Sequence, residues 1–341
     1  MLAEEIRGRA LSIGFDVAGI APAGEARHAD AFRRWLEAGC AGGMTWMGKD
    51  ADRRVHPAAK SVVVVGLSYF VHEPPPELWN DPLRGRIARY AWGRDYHDVM
   101  LPMLKELAAS IGATSFRACV DSAPVLERDL AEQAGLGFAG KNTNLISGQF
   151  GSYVLIGELL LDAEVSGQRS AVSEDGCGSC IACLGACPTG ALVEPYVLDA
   201  RRCISYLTVE NKGAIPVDLR PGMKNWILGC DECQQVCPWN ADCAPHPHRF
   251  LRFDADTCAP RLAEIMELDE KSFRDRFDGT PVMRARRRGL LRNAAVALGN
   301  SGDASALPVL ERAARDQDAL VREHAQWGVA RLRAPTPNAE R

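Results

Sequence analysis

At 341 residues and 47% hydrophobic content, the chain is too long for a single small module and has room for two or three domains with a substantial core. No apolar run of about 18 residues occurs, so a membrane-spanning helix is not expected. Formal charge is −4 overall, yet residues 281–341 hold eleven arginines against six acids, a local +5 that leaves −9 for residues 1–280. Such polarity fits either a polyanionic partner or a solvated basic helical face.

The opening Met1-Leu-Ala-Glu-Glu-Ile-Arg7 carries acids where a signal peptide needs a basic region and an apolar run, so export is not expected. Arg33-Arg34 and Arg53-Arg54 precede no apolar segment either. Leu2, Ile6, Ala10 and Ile13 recur at helical spacing up to Gly14, and Val17–Ile20 reads as a short strand. Further buried strands are expected at Val62–Val65, Phe116–Val120 and Val154–Leu161, separated by helix-like stretches Val99–Ile111 and Val125–Ala134. Residues 1–165 therefore read as one α/β domain. No G-x-G-x-x-G follows an early strand and no Walker A sequence occurs, so neither a dinucleotide nor ATP is indicated.

The polar stretch Glu164–Asp175 leads into the most informative run, Cys177-Gly-Ser-Cys180-Ile-Ala-Cys183-Leu-Gly-Ala-Cys187-Pro188, echoed by Cys230-Asp-Glu-Cys233-Gln-Gln-Val-Cys237-Pro238. Three thiolates at i, i+3 and i+6 can wrap one 4Fe-4S cube, and the cysteine before proline ligates the neighbouring cluster. The second run is one cysteine short, and Cys203 is the natural substitute. Crossing the fourth ligands gives Cys177, Cys180, Cys183 and Cys237 to one cluster, and Cys187, Cys203, Cys230 and Cys233 to the other. Zinc sites pair C-x2-C units and do not call for this spacing. Disulfide frameworks belong to small secreted chains. Electron transfer is the first functional inference, and reduced thiolates fit the cytoplasm. Cys40, Cys119, Cys243 and Cys258 read as ordinary buried or idle thiols.

Ala244-Pro-His-Pro-His248 reads as a linker, and Arg287–Leu298, Ala304–Arg315 and Val321–Leu332 as helices. Their alanine-rich helix, Gly-Asp turn and Leu-x-x-Leu pattern resemble HEAT-type repeats, too few to stand alone, so they are expected to pack on the preceding domain. The expected fold class is an α+β multidomain protein: an N-terminal α/β domain (1–165), a bacterial ferredoxin-like double 4Fe-4S module (166–245), and a linker with an α-helical HEAT-like segment (246–341).

Several segments outside the cysteine runs converge: Tyr90-Ala-Trp-Gly-Arg-Asp-Tyr-His-Asp98, Val120-Asp-Ser-Ala-Pro-Val-Leu-Glu-Arg128, Ala134-Gly-Leu-Gly-Phe-Ala-Gly-Lys-Asn142, Cys203-Ile-Ser-Tyr-Leu-Thr208 and Cys187-Pro-Thr-Gly-Ala-Leu192. With these, the chain closely resembles the tRNA epoxyqueuosine reductases over nearly its whole length. The resemblance implies a cobalamin-binding N-terminal domain and an enzyme that removes the epoxide oxygen from epoxyqueuosine in a tRNA anticodon, giving queuosine. It also implies two 4Fe-4S clusters fed by an external low-potential electron donor, with no membrane association. A cytoplasmic monomer is expected. The competing readings are a reductive dehalogenase-like cobalamin enzyme and an electron-transfer or cobalamin-reducing partner protein.

The resemblance makes Asp121 the proton donor, at the end of the expected strand. Read from its surroundings alone, Asp121 could instead cap a helix starting near Pro124. Asp95-Tyr-His97-Asp-Val-Met100 approaches the D-x-H-x-x-G pattern of base-off cobalamin binders, but Met100 replaces the glycine, so His97 is not assigned to cobalt. Arg54, Asn142 and Ser205, together with Asp121, are the cofactor-pocket residues that the resemblance implies. Lys212 matches a tRNA-contact position, although its segment is one residue longer than a common spacing. Arg284, Arg286, Arg287 and Arg288 can neutralise phosphates or simply form a basic helix surface.

Overall fold

The computed structural model describes residues 2–24, 26–48, 58–121, 123–166, 176–245, 248 and 250–334. Its N-terminal part is built on four strands, β1 (Val17–Pro22), β2 (Ser61–Ser68), β3 (Phe116–Cys119) and β4 (Val154–Leu161). They lie in the order β1-β2-β4-β3, and every neighbouring pair is antiparallel. The expected α/β domain is therefore corrected to an antiparallel sheet flanked by helices. The reason lies in burial: all eight residues of β2 are buried, because both faces of the sheet are covered. A strand covered on both sides reads as a continuous apolar run, the signature usually left by parallel strands.

On one face, Val63, Val65, Leu67, Leu155 and Leu159 pack against Ile6 and Ala10 of α1 (Ala3–Ile13) and against Met100, Leu104 and Leu107. The latter belong to α2 (Tyr96–Ser110), which Asp95 caps through the His97 backbone N–H. On the other face, Val62, Val64, Cys119 and Leu160 meet Leu130 and Ala131 of α3 (Glu127–Gln133). Period-two alternation along β2 and β4 thus divides the strands between two cores.

A third core joins Ile87 and Trp92, the segment Ile204–Leu228, and the C-terminal helices. Those helices are α4 (Arg286–Asn300), α5 (Leu307–Ala313) and α6 (Ala319–Arg333). Arg292, 1% exposed, donates to the carbonyls of Leu207, Asn211 and Gly213, while Asn293 donates to those of Thr208 and Ile227. These bonds satisfy buried backbone acceptors and fasten the Cys203-to-Cys230 segment to α4.

Gly19 of β1 lies under the end of α3, where an added Cβ would sit 2.2 Å from the Ala134 carbonyl oxygen. Backbone cannot yield as a side chain can. Gly19→Ala should therefore destabilise the fold by about 3 kcal/mol, whereas Gly8→Ala, on the exposed face of α1 with open space around it, should stabilise by about 1 kcal/mol. Urea unfolding of both variants checks the pair.

Candidate functional site

The cysteine runs fold into two groups. Cys177, Cys180, Cys183 and Cys237 line a cavity of about 220 Å³ together with Lys141, Asn142 and Trp239. Two contacts close it: Trp239 Nε1 donates to the Gly176 carbonyl at 2.9 Å, and the Lys141 N–H points at Cys177 Sγ at 3.5 Å. In the second group, Cys203 is pushed up by burial and by Cys187, and Cys233 by burial and then by Cys203 and Cys187. Cys230, partly buried, is pushed up by desolvation and then by Cys203 and Cys233. Backbone N–H groups oppose these shifts, those of Tyr206 and Ser205 at Cys203 and that of Glu232 at Cys230. The Ala191 N–H likewise lies 3.2 Å from Cys187 Sγ.

Four sulfurs converging with N–H donors around them suit iron-sulfur centres, since buried thiols give up their protons to a metal and the donors then stabilise thiolate charge. The grouping follows the crossed pattern expected from spacing. The two sets also touch electrostatically, because Cys233 senses Cys183.

A polar constellation is built around Asp121, which leaves β3 in the left-handed region with φ 55°. Tyr96 Oη donates to Asp121 Oδ2 at 2.7 Å, and Arg284 Nη1 donates to the same oxygen at 3.3 Å. Burial, then the Asp121 charge, holds the Tyr96 phenol protonated. Arg284 Nη2 lies 2.8 Å from His97 Nε2, and His97 Nδ1 lies 2.6 Å from Asp95 Oδ1. Because a guanidinium only donates, Nε2 must accept and Nδ1 carries the hydrogen given to Asp95. His97 thus has both ring nitrogens engaged. The capping role open to Asp121 is corrected: α3 begins at Glu127 after Leu126, and no side chain caps it. Instead the Asp121 backbone N–H donates to Glu127 Oε1 at 2.5 Å.

The remaining candidates separate. Arg54 lies outside the described residues. Asn142 is 4% exposed; its Oδ1 accepts the Asn144 N–H, while its Nδ2 has no partner and borders the first cysteine cavity. Ser205 turns its backbone N–H to Cys203. Lys212 Nζ donates to the carbonyls of Val209 and Arg284, which sets it beside the Asp121 constellation. Arg284, expected among the phosphate contacts, donates to Asp121 and to His97. Arg286 and Arg288 are exposed, and Arg288 reaches Asp318 at 3.3 Å. Arg287 is corrected as well: it is buried and donates to the Leu268 carbonyl and to Asp316, so it does not stand on the basic surface. Sequence reasoning missed Tyr96, Glu127 and Glu158 around Asp121; the one available signal was an acid, Glu158, inside the apolar strand Val154–Leu161.

Residues 51–122 match the family model described as Epoxyqueuosine reductase QueG, DUF1730, and residues 176–240 match the 4Fe-4S double cluster binding domain. The epoxyqueuosine reductase of Pseudomonas aeruginosa is 42% identical over 97% of this chain and 94% of its own length. The chain belongs to the epoxyqueuosine reductase family. The Escherichia coli member of that family is 38% identical over 96% of this chain and 89% of its own. Among solved structures, an epoxyqueuosine reductase bound to a tRNA-Tyr epoxyqueuosine-modified stem loop superposes with a TM-score of 0.88. It is 32% identical, with 96% of this chain and 89% of that chain covered. An epoxyqueuosine reductase from Bacillus subtilis, with its catalytic aspartate loop swung out of the active site, gives 0.84 at 33% identity over 96% and 90%. Epoxyqueuosine reductases are cobalamin enzymes with two 4Fe-4S clusters. The unpartnered Asn142 amide is a buried donor on a residue that lines the first cysteine cavity, and such donors are costly when unmet.

Arg287→Gln should lower stability by about 3 kcal/mol, because it strands Asp316 in a nearly buried position. Arg286→Gln should leave the melting temperature where it is. Thermal unfolding of the two variants separates the buried arginine from its exposed neighbour.

Proposed function

We propose that this epoxyqueuosine reductase converts epoxyqueuosine to queuosine in the anticodon loop of tRNA, with Asp121 as the acid. The observation that carries the assignment of Asp121 is its carboxylate, gripped by Tyr96 and Arg284 at the edge of a basic patch formed by Lys212 and Arg286. Removing an epoxide oxygen as water takes two electrons and two protons. The electrons arrive one at a time, from an external low-potential donor, through clusters held by Cys177, Cys180, Cys183 and Cys237 and by Cys187, Cys203, Cys230 and Cys233. Bound cobalamin supplies a strongly reducing cobalt centre able to act on an epoxide carbon. Arg54, Asn142 and Ser205 are the residues we assign to holding it.

The protein's own part is orientation and proton delivery. Tyr96, kept protonated, and Arg284 fix the direction of the Asp121 carboxyl, so its proton meets the epoxide oxygen. Recognition of a splayed loop nucleotide favours a surface that grips phosphate and leaves the base free to enter. Lys212, Arg286 and Arg288 serve that grip, and the α4–α6 helices, which we read as HEAT-like, carry two of them. The Asp121 loop resembles one that a solved relative holds swung out; here the Tyr96 and Arg284 bonds hold it in. Among the described residues no helix is long and apolar enough to cross a membrane. We assign a cytoplasmic monomer on the grounds of reduced clusters and a tRNA substrate.

Asp121→Asn keeps the shape and the acceptor for Tyr96 but cannot give an acidic proton. Queuosine formation by the loaded, pre-reduced variant should fall by about 100-fold or more, with iron, cobalamin and tRNA binding unchanged. Nucleoside mass analysis of single-turnover mixtures decides this, and a wild-type rate across pH would remove Asp121 from the role. For tRNA, the double variant Lys212→Gln, Arg286→Gln should weaken binding and reduce the slope of log affinity against log salt by about 1 to 2. Filter binding over a salt series reads it.

A further inference from the structure

Strand β3 stops at Cys119, paired with Glu158 of β4, two residues before Asp121. Asp121 then stands in the left-handed region with φ 55°, a conformation that a residue other than glycine keeps only where its surroundings hold it. Past the end of a ladder a backbone N–H needs another acceptor. The Asp121 N–H finds one in Glu127 Oε1 at 2.5 Å. Among the described residues no backbone carbonyl takes it. Glu127 is the first residue of α3, which Leu130 and Ala131 pack against Val62, Val64, Cys119 and Leu160 of the sheet. The acceptor is therefore carried by an element fixed to the core, while the Asp121 side chain is about half exposed. Arg128, the cation beside Glu127, donates to the Thr143 carbonyl.

We propose that Glu127 is the positioning residue of the Asp121 loop: its carboxyl latches the Asp121 backbone N–H and so holds the Asp121 carboxyl where Tyr96 and Arg284 meet it. The effect on turnover rests on Asp121 being the acid. The effect on the loop does not.

The two bonds on the carboxyl side, from Tyr96 and Arg284, both end on Oδ2. A group that gives up a proton changes charge as it acts, and hydrogen bonds to its carboxyl change strength with it. The bond from the backbone N–H is spared that change, because the N–H donates in either state. Nor does it need a particular charge on Glu127, since a carboxyl keeps an acceptor oxygen with or without its proton. The loop is thus held from two sides, and the Glu127 side stays constant through the reaction. An acid displaced by about an ångström loses much of its effect, so a hold on the backbone supports the rate as well as the order of the loop. Glu127 moves no proton in this scheme and acts only through Asp121.

Glu127→Leu keeps the bulk and removes the acceptor, whereas Glu127→Gln keeps bulk and acceptor and removes the charge. The pair separates the hydrogen bond from the favourable acid at the start of α3. In single-turnover conversion by cluster- and cobalamin-loaded, pre-reduced enzyme, Glu127→Leu should be roughly 10-fold slower, with tRNA affinity unchanged. Glu127→Gln should recover most of that loss. Equal losses in the two variants trace to charge or packing and overturn the proposal. Hydrogen exchange of the same loaded proteins, read at the Asp121 amide by mass spectrometry, follows the latch without turnover. The amide should be protected in the wild type and exchange roughly 10-fold faster in Glu127→Leu, with β4 and the body of α3 unchanged. An unprotected Asp121 amide in the wild type overturns the latch however the variants fold, and so does exchange quickened through α3 and β4 alike. A quickened loop beside a fully active Asp121→Asn removes the acid and keeps the latch. An unchanged loop or a wild-type rate in Glu127→Leu, beside an inactive Asp121→Asn, removes the latch and keeps the acid.

Discussion

Arg89 and Asp231 form an ion pair with both side chains shut away from water, and Asp231 stands between Cys230 and Cys233. Asp231 Oδ2 accepts the Arg89 backbone N–H at 3.0 Å and Nη1 at 3.2 Å, while Nη2 reaches Glu73. Phe70, Trp79, Trp92 and Tyr153 surround the guanidinium at 5.3 to 5.9 Å from their ring centres. Burying two charges brings little net stability, but removing either partner strands the other at a cost of about 3 to 5 kcal/mol. The pair therefore acts as a register pin. It ties the second cysteine loop to the segment that goes on to Tyr96 and His97, and so relates the cysteine groups to the Asp121 constellation.

The second pin works from the opposite direction. Arg292 and Asn293 bind the backbone just after Cys203, and Arg284, from the short helix preceding α4, reaches Asp121. One helical region thus holds the flank of Cys203 and a partner of Asp121. The C-terminal helices also share a core with Trp79, Ile87 and Trp92.

The cysteine grouping was legible because metal-thiolate geometry imposes local spacing, and the second run, one cysteine short, was completed with Cys203. Strand β4 was legible from its apolar run with the same limits, Val154–Leu161. The direction of the strands was not, because a strand buried on both faces loses the alternation that marks antiparallel sheets. The arginine run shows another limit. Arg286, Arg287 and Arg288 are consecutive on a helix, so about 100° separates each from the next, and they cannot all face solvent on a helix packed into a core. That argument needs only the sequence once the helix is granted, and it would have set Arg287 apart.

Asp121 could be singled out by resemblance, whereas its setting depends on contacts that join distant parts of the chain. Tyr96 comes from the start of α2, Arg284 from before α4, Glu127 from α3 and Glu158 from β4. An aspartate tolerates the left-handed backbone at a small cost because its short side chain finds local partners. Here those partners are supplied by tertiary structure. Tyr96 and Arg284 donate to the Asp121 carboxyl, while burial favours the neutral forms of Glu127 and Glu158. The fold thereby sets the Asp121 carboxyl among hydrogen-bond donors and backs it with two acids that burial holds neutral.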